Sequence, residues 1–279
     1  MDQHRSPFAE RPHRALSFGA VADAYDRARP SYPREAAAWL AGRAPAQVLE
    51  LGAGTGKLTE ELVALGHRVV ATDPSEPMLH RLAERVPGAA SACGTAEQIP
   101  ARSRSADVVV AGQAFHWFDL ERALPEIARV LRPGGEIALA WNLRDERIPW
   151  VKRLGALIGT PDQQNDPTNA LLGSHLFGYV ESATFRFWQP LDRDRLRDLV
   201  ASRSNVAVMS DLERERVLRK VDELYDSYGR GADGMLLPYV TRCYKAVVRP
   251  LALPAVDDGG PVVVESDGTD PDALLIDFN

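Results

Sequence analysis

A glycine-rich turn between a predicted strand and a predicted helix constrains this chain more than any other feature. Residues 48–58 read V-L-E-L-G-A-G-T-G-K-L, with glycine at the alternate positions Gly52, Gly54 and Gly56. An apolar run, a glycine cluster and then helix-forming residues predict a buried strand, a tight turn and a helix N-terminus. Glycine also lets the backbone come close to a ligand that a Cβ would exclude. The turn is therefore expected to bind a ligand within an α/β domain.

Two phosphate-binding motifs do not fit this turn. A P-loop requires glycine at the position of Leu51 and Ser or Thr at the position of Leu58. The dinucleotide fingerprint requires its third glycine where Lys57 stands. The pattern that remains is E-x-G-x-G-x-G.

This pattern resembles motif I of the class I S-adenosylmethionine (SAM) dependent methyltransferases. SAM has no phosphate, but it needs close backbone approach to its amino-acid tail and an acid near its ammonium group. The resemblance implies that Glu50, Gly52, Gly54, Thr55 and Gly56 contact the cofactor. The alternative is a glycine turn in an unrelated α/β domain.

An acid at the end of the second predicted strand supports a nucleoside ligand. Asp73 lies about twenty residues beyond the turn and is placed to accept hydrogen bonds from ribose hydroxyls. The alternative is an ordinary helix cap before Pro74 and Ser75. We expect Pro74 and Met78 to lie near the adenosine.

A turn after the third predicted strand is expected to hold the adenine edge. In the methyltransferase family the matching turn uses a backbone N–H and a polar side chain, which here implies Thr95, Ala96 and Glu97. Glu97 is equally suited to cap a short helix, so both roles stay open.

An aromatic loop, residues 113–119, follows the fourth predicted strand, residues 106–112. Ligands of open α/β sheets bind beyond the carboxyl ends of the strands. We therefore expect Gln113 and Phe115 beside the cofactor and Trp117 beside the methyl acceptor, where an aromatic cluster attracts the sulfonium. The alternative is that these aromatic residues belong to the core. The loop lacks the Asn/Asp-Pro-Pro-aromatic motif of amino-methylating DNA enzymes.

His116 is the histidine best placed for chemistry. A hydroxyl acceptor needs a general base, and histidine suits that role near neutral pH. A carboxylate acceptor needs none, and His116 would then position the acceptor or contact the cofactor.

Two further segments carry the resemblance. Tyr25 and Arg29 match a Tyr-x-x-x-Arg-Pro element that covers the SAM site in small-molecule methyltransferases, which implies that Arg29 faces the cofactor carboxylate. The alternative is a helix docked on the surface. Residues 123–135, A-L-P-E-I-A-R-V-L-R-P-G-G, resemble the ubiquinone-biosynthesis-like "type 11" methyltransferases, and the matches together span residues 18–142.

Beyond residue 142 the chain resembles trans-aconitate-type methyltransferases, which act on small acids. Helices inserted late in such chains form a lid, expected here in residues 16–33 and 143–235. An acid acceptor would require a bidentate arginine, for which Arg144, Arg147 and Arg203 are available, with Trp141 nearby. Solvated surface arginines are the alternative.

Composition and charge limit the classes of partner. Residues 250–279 carry seven acids and no Lys or Arg, so the rest of the chain has 33 basic and 32 acidic residues. A near-neutral body without a basic stripe argues against nucleic acid. No apolar run is long enough to span a membrane. Cys93 and Cys243 are expected to be reduced core residues of a cytoplasmic protein without a metal site.

The resemblance implies a Rossmann-like seven-stranded sheet, mostly parallel, with an antiparallel last strand and helices on both faces. We expect a mobile tail in residues 1–15, one domain in residues 16–249 and an acidic tail in residues 250–279. The expected function is methyl transfer from SAM to a small molecule by in-line displacement. A SAM-binding enzyme that does not transfer methyl, such as a cyclase, and a regulatory module are the alternatives.

Overall fold

The computed structural model describes residues 29–159, 166–203, 206, 208–228 and 235–250. Seven strands form one sheet: β1 Gln47–Leu51, β2 Arg68–Asp73, β3 Ala90–Cys93, β4 Ala106–Gly112, β5 Leu131–Arg144, β6 Phe177–Leu191 and β7 Met235–Val248. The α-helices of the described residues are α1 Arg34–Ala41, α2 Lys57–Ala64, α3 Glu76–Arg85, α4 Leu120–Val130, α5 Pro149–Ile158, α6 Thr168–Gly173, α7 Arg193–Ala201 and α8 Asp211–Ser227.

The strand order is β3-β2-β1-β4-β5-β7-β6. Strands β1 to β5 pair in parallel. The last strand, β7, is antiparallel to both of its neighbours, β5 and β6. The predicted seven-stranded, mostly parallel sheet with an antiparallel last strand is therefore confirmed.

Helices cover both faces of the sheet. On one face, α4 packs on alternate residues of the central strands, including Leu49, Val109 and Leu139. On the other face, α1 and α2 pack on the residues between them, including Val48 and Ala138. Burial on both faces explains why the central strands are continuous apolar runs rather than alternating patterns.

A separate apolar cluster joins the later helices to the end of the sheet. It combines α5, α7 and α8 with residues of β6 and β7, among them Leu154, Leu196, Leu224 and Tyr239. Residues of this cluster on β7 share a face with Cys243, which packs with α1 and α2. The later helices therefore extend the α1–α2 side of the sheet, beside the carboxyl ends of the parallel strands.

Several details differ from the sequence-based expectations. The sequence pattern predicts a polar loop up to about residue 180, but this segment contains α6 and the start of β6. The pattern also predicts a helix from Met78, but α3 begins at Glu76. The expected lid range, residues 143–235, also contains the whole of β6. The helical pattern of residues 211–228 also predicts Leu212 on the apolar face of α8. Leu212 is 61% exposed, however, because this face begins only with Val217 and Leu218.

The two cysteines are unlike one another. Both are free thiols, and Cys243 is buried as expected. Cys93 is exposed, which corrects its expected place in the core. It lies at the end of β3, whose burial pattern has no fully buried position, because β3 is an edge strand.

Candidate functional site

The glycine turn joins β1 to α2 through three residues in the left-handed region. Gly52, Gly54 and Gly56 have φ of 67°, 56° and 84°. A Cβ on Gly52 would lie 2.5 Å from Cβ of Ala114, so the turn packs closely against the segment after β4. A Cβ on Gly54 would meet no atom within 4 Å. The space beside Gly54 is therefore open to a ligand.

Asp73, at the end of β2, is tied to this turn. Its Oδ2 accepts a 2.9 Å hydrogen bond from the backbone N–H of Gly54, and its Oδ1 accepts one of 2.9 Å from Ser75. Burial raises the pKa of the Asp73 carboxyl, and the two backbone N–H groups oppose that rise. Each carboxylate oxygen has a second lone pair, so Asp73 retains acceptor capacity for ribose hydroxyls.

Glu50 is a buried acid at the carboxyl end of β1. It is 2% exposed, and its Oε2 accepts a 2.6 Å hydrogen bond from Thr59 Oγ1 on α2. Burial raises the pKa of Glu50 to about 8; the hydrogen bond from Thr59 opposes this rise, and the charge of Asp73 adds to it. A cationic group bound beside Glu50 would restore its charged form.

A pocket lies between the turn and the ends of β4 and β5. The predicted cofactor residues that line it are Arg29, Glu50, Gly52, Gly54, Thr55 and Gln113. Gln113 itself adopts a φ of 59°, and its Nε2 donates to the backbone carbonyl oxygen of Asn142. The predicted contact Tyr25 lies outside the described residues.

The pocket also contains residues that the sequence analysis missed. Asn142 donates through Nδ2 to the carbonyl oxygen of Ser31 and accepts a 2.7 Å hydrogen bond from Thr241 Oγ1. Asn142 could have been predicted from its position near the carboxyl end of β5, because ligands of open α/β sheets bind beyond the carboxyl ends of the strands. Tyr32 lines the pocket too, and its hydroxyl packs where a side chain on Gly112 would stand.

The turn expected to hold the adenine lies apart from this pocket. Thr95 is exposed and forms an isolated bridge with Gln98, and Ala96 is buried in the α4 side of the core. Glu97 Oε1 accepts a 2.8 Å hydrogen bond from the backbone N–H of Asp119, which caps α4. In this structure Glu97 thus fixes the end of the aromatic loop.

Of the remaining predicted cofactor contacts, none lines the pocket beside the glycine turn. Pro74 is exposed after β2, and Met78 is 3% exposed on α3. Gly56 begins α2, with its N–H bonded to the carbonyl oxygen of Ala53.

The aromatic loop is partly core. Phe115, 5% exposed, packs edge-on against Phe118 at 5.8 Å and against Trp141 at 6.2 Å between ring centroids. His116 and Trp117 are half-buried, and their rings lie 4.8 Å apart. Phe115 therefore anchors a single 3₁₀ turn, Phe115–Trp117, that carries His116 and Trp117 nearer the surface.

Trp141 does not reach the pocket. Successive residues of a strand point to opposite faces, and Asn142 is the one on the pocket side. Trp141 is 2% exposed and packs on Tyr244 and Phe115 on the α4 side of the sheet. Trp141 and Arg144 therefore lie on opposite faces of β5.

Two of the three acceptor arginines are buried. Arg144, 8% exposed, donates from Nη2 to the carbonyl oxygen of Gly159, and Arg203 is 9% exposed after α7. Arg147, in contrast, is exposed and forms an ion pair with Asp145. Arg147 thus fits the surface alternative, whereas Arg144 and Arg203 do not.

Comparison with known proteins decides the family. The model of a methyltransferase domain family, type 11, matches residues 49–139. An uncharacterised methyltransferase of Mycobacterium tuberculosis is 44% identical over 237 residues, which cover 84% of this chain and 96% of the relative. The chain belongs to the SAM-dependent methyltransferases. The predicted class I, type 11 resemblance is confirmed.

More distant relatives carry more specific names. A malonyl-[acyl-carrier protein] O-methyltransferase of Methylococcus capsulatus is 36% identical over 162 residues, which cover 52% of our methyltransferase and 59% of the relative. The solved structure of a candidate type II methyltransferase from Anaeromyxobacter dehalogenans has a TM-score of 0.56 at 27% identity, covering 81% and 99% of the two chains.

The fold also matches a methyltransferase solved with a ligand. Phosphoethanolamine N-methyltransferase 2 of Haemonchus contortus, in complex with S-adenosylhomocysteine, has a TM-score of 0.53 at 17% identity. The alignment covers 87% of this methyltransferase and 61% of that chain. At this identity the likeness concerns the fold alone.

Two features are absent from the part of the chain that the structure describes. Within them, no group of three or more His, Cys, Asp or Glu side chains is arranged to hold a metal ion. None of the helices described for this methyltransferase has the length and apolar character needed to cross a membrane.

Proposed function

We propose that this methyltransferase transfers the methyl group of SAM to an oxygen, carboxylate or hydroxyl, of a small molecule. The observation that carries the proposal is the pocket at Gly54, where open space, a buried acid and an arginine meet. The acceptor oxygen attacks the methyl carbon in line with the carbon–sulfur bond, which breaks as S-adenosylhomocysteine leaves. A hydroxyl acceptor also loses its proton, whereas a carboxylate has none to lose.

The pocket suits the amino-acid tail of the cofactor. Gly54 leaves room for it, Glu50 supplies an acid for its ammonium group, and Arg29 supplies a cation for its carboxylate. SAM supplies the electrophilic methyl group when bound. Thr55 and Gln113 line the same pocket and complete its polar wall.

The adenosine is proposed to lie across the ends of β1 and β2. Asp73 would accept the ribose hydroxyls, with Pro74 and Met78 beside it. Thr95, Ala96 and Glu97 would border the adenine. The hydrogen bond from Asp73 to the Gly54 N–H supports this placement, because it puts the ribose acid next to the tail pocket.

The acceptor is proposed to bind near the aromatic loop and under the later helices. His116 and Trp117 are half-buried residues of that loop. Arg144 is the ladder partner of Tyr239, which packs with the later helices, and Arg203 follows α7. His116 acts as a base for a hydroxyl and as a positioning group for a carboxylate. The name of the Methylococcus relative, an O-methyltransferase, supports oxygen as the acceptor atom.

We also propose a cytoplasmic protein with lid elements in residues 16–33 and 143–235, a single domain in residues 16–249, and flanking tails. Its partner is the small-molecule acceptor, with no role for nucleic acid or membrane. Packing of α5, α7 and α8 as one cluster on the end of the sheet supports the lid.

Calorimetric titration with SAM followed by a labelled-methyl assay tests the function. We expect binding, and transfer of label to carboxylic acids or hydroxyl compounds rather than to amines. Binding without transfer to any acceptor would favour a non-methylating enzyme on this fold. Absence of binding would contradict the proposed pocket.

A further inference from the structure

Asn142, in the cofactor pocket, has a neighbour on the same face of β5. Residues two apart along a strand point to the same side and lie roughly 7 Å apart. Asn142 and Arg144 are such a pair, and their partners across the antiparallel ladder are Thr241 and Tyr239. Residues directly opposite in such a ladder share a face. A polar row therefore leads from the pocket towards the later helices.

At the far end of this row, Arg144 and Tyr239 are enclosed. Tyr239 is 4% exposed and stacks on Phe187, with ring centroids 5.2 Å apart. Arg144 Nη2 donates a 3.0 Å hydrogen bond to the carbonyl oxygen of Gly159, immediately after α5. The site thus lies between β5, β7 and the later helices, one residue pair beyond the cofactor pocket.

Three arginines from separate parts of the chain act on Tyr239. Burial raises the pKa of its hydroxyl to about 12, and the charges of Arg144, Arg29 and Arg203 oppose that rise, Arg144 most strongly. The geometry places two of these arginines near Tyr239. Arg144 is its partner in the β5–β7 ladder. The backbone of Arg203 is hydrogen-bonded to Val200 and Val206, which belong to the same apolar cluster as Tyr239. Tyr239 stays protonated at neutral pH, and a protonated phenol is a hydrogen-bond donor.

The side chains of Arg144, Arg203 and Tyr239 carry many hydrogen-bond donors. Arg144 and Arg203 each present a planar fork of N–H groups that matches a carboxylate or a phosphate. The Tyr239 hydroxyl adds another donor. Glu146 lies next to Arg144, with Oε1 3.8 Å from Nη2. A buried set of this kind stabilises an anion that binds there.

We propose that Arg144, Arg203 and Tyr239 form a subsite for an anionic group that the methyl acceptor carries in addition to the oxygen that is methylated. The inference rests on the proposed methyl transfer, because it assigns the subsite to the acceptor. Arg29 lines the cofactor pocket, and its charge also opposes the rise in the pKa of Tyr239. The subsite selects acceptors with two anionic or polar ends. It binds one end and orients the oxygen of the other end towards the methyl group.

The test uses matched acceptors. Short dicarboxylic acids, from succinate to adipate, are compared with their monoamides, which keep one carboxylate to accept the methyl but lack the second charge. Phosphonocarboxylic acids form a third set and show whether carboxylate or phosphate is preferred. Binding is measured on protein loaded with S-adenosylhomocysteine, and transfer is measured with methyl-labelled SAM. We expect a diacid or phosphonocarboxylate to exceed its monoamide by at least about tenfold in both measurements.

Substitutions link that preference to the subsite. Arg144→Lys and Arg203→Lys should each raise KM about 10- to 100-fold, because lysine loses the bidentate fork, and leave kcat and SAM affinity within about threefold. Tyr239→Phe should raise KM about fivefold. Arg147→Lys is the matched control, since Arg147 is exposed and paired with Asp145, and it should change neither constant.

Three outcomes separate the hypotheses. If the loaded protein binds no acid, or handles monoamides as well as diacids, the subsite is wrong. If Arg144→Lys lowers the melting temperature but keeps the diacid preference, Arg144 only attaches α5 to the sheet, and the subsite is again wrong. If diacids bind in an Arg144-dependent way and no label is transferred to any acceptor, the subsite stands and the proposed methyl transfer fails.

Discussion

The backbone N–H of Gly54 donates a 2.9 Å hydrogen bond to the carboxylate of Asp73. The two residues come from different βα units, and each was expected to contact a different part of the cofactor. Their hydrogen bond makes the tail pocket and the ribose acid one structural unit. A change at either residue should therefore affect both parts of the site.

Gly54 and Gly134 form a matched pair for testing the pocket. Both have positive φ, and a Cβ on either meets no atom within 4 Å. Alanine at each should cost about 1–2 kcal/mol of unfolding free energy from left-handed strain. Only Gly54→Ala should weaken SAM binding, by tenfold or more in calorimetry, because only Gly54 lines the pocket. Equal SAM affinity for the two variants would show that the cofactor binds elsewhere.

Asp73 should matter through its charge and through its bond to Gly54. Asp73→Asn keeps the shape but loses acceptor capacity, and Asp73→Ala also releases the Gly54 N–H. We expect SAM dissociation constants to rise about tenfold for the first and further for the second. Asp107→Asn is a useful control, since Asp107 also accepts a backbone N–H, from Gln47, but does not line the pocket. Wild-type affinity in Asp73→Ala would contradict the proposed ribose contact.

SAM affinity should depend on pH through Glu50. The pKa of Glu50 is raised from 4.5 to about 8, so near neutral pH the free protein holds it mostly protonated. A bound ammonium group favours the carboxylate, so binding releases a proton, and affinity should increase as pH rises towards 8, by less than tenfold per pH unit. Calorimetry in buffers of different ionisation enthalpy measures that proton release.

The same raised pKa affects the stability of the free protein. The unfolded chain loses this proton near pH 4.5 and the folded chain only near pH 8. The unfolding free energy should therefore fall as pH rises between these values. Glu50→Gln should flatten both the stability profile and the affinity profile. An unchanged slope in this variant would assign the titration to another group.

Gly52 can be tested by rescue. A Cβ at Gly52 would lie 2.5 Å from Cβ of Ala114, so Gly52→Ala should lose about 2–4 kcal/mol of unfolding free energy from overlap and left-handed strain. Combining Gly52→Ala with Ala114→Gly should recover the unfolding free energy lost to the steric overlap, but not the part lost to backbone strain. Denaturant unfolding measures both variants, and a double variant no more stable than Gly52→Ala would contradict this packing.

The two thiols should react at very different rates. Cys93 is exposed, whereas Cys243 is buried and burial raises the pKa of its thiol to about 12. One thiol per native chain should therefore react with a disulfide reagent, and the second only on unfolding. Cys93→Ser should abolish the fast phase.

The central sheet could be read from the sequence because its strands are local apolar runs closed by glycine turns or acids. The glycine turn, Asp73 and β4 lie where their patterns predicted. For β6, the alternating pattern predicts a strand only at residues 185–189, whereas the strand spans Phe177–Leu191. Its inward side packs on the later helices and its outward side is exposed, with Trp188 60% exposed, so pairing with β7 rather than local hydrophobicity determines its length. The helix α6 has six residues, too few for a periodic signal.

The pocket residues that belong to a sequence motif could be predicted. Those that only strand pairing brings to the pocket could not. Glu50, Gly54 and Arg29 belong to recognisable patterns. Asn142 and Tyr239 are ordinary residues in apolar strands, and only the register of β5 with β7 places Asn142 opposite Thr241 and Tyr239 opposite Arg144. Trp141 has the same sequence context as Asn142 but points to the other face. A one-residue difference in strand position therefore separates a core residue from a pocket residue.

The strand order has a consequence for how the protein is made. Strand β7 is synthesised last, yet it lies between β5 and β6. A nascent chain that has completed β6 cannot add it to the sheet until β7 leaves the ribosome. Until then the edge of β5 and both edges of β6 are unpaired, and such edges promote aggregation. A ribosome that stalls before residue 235 therefore leaves a chain with an incomplete sheet. Once β7 is released, it can pair with β5 on one side and with β6 on the other.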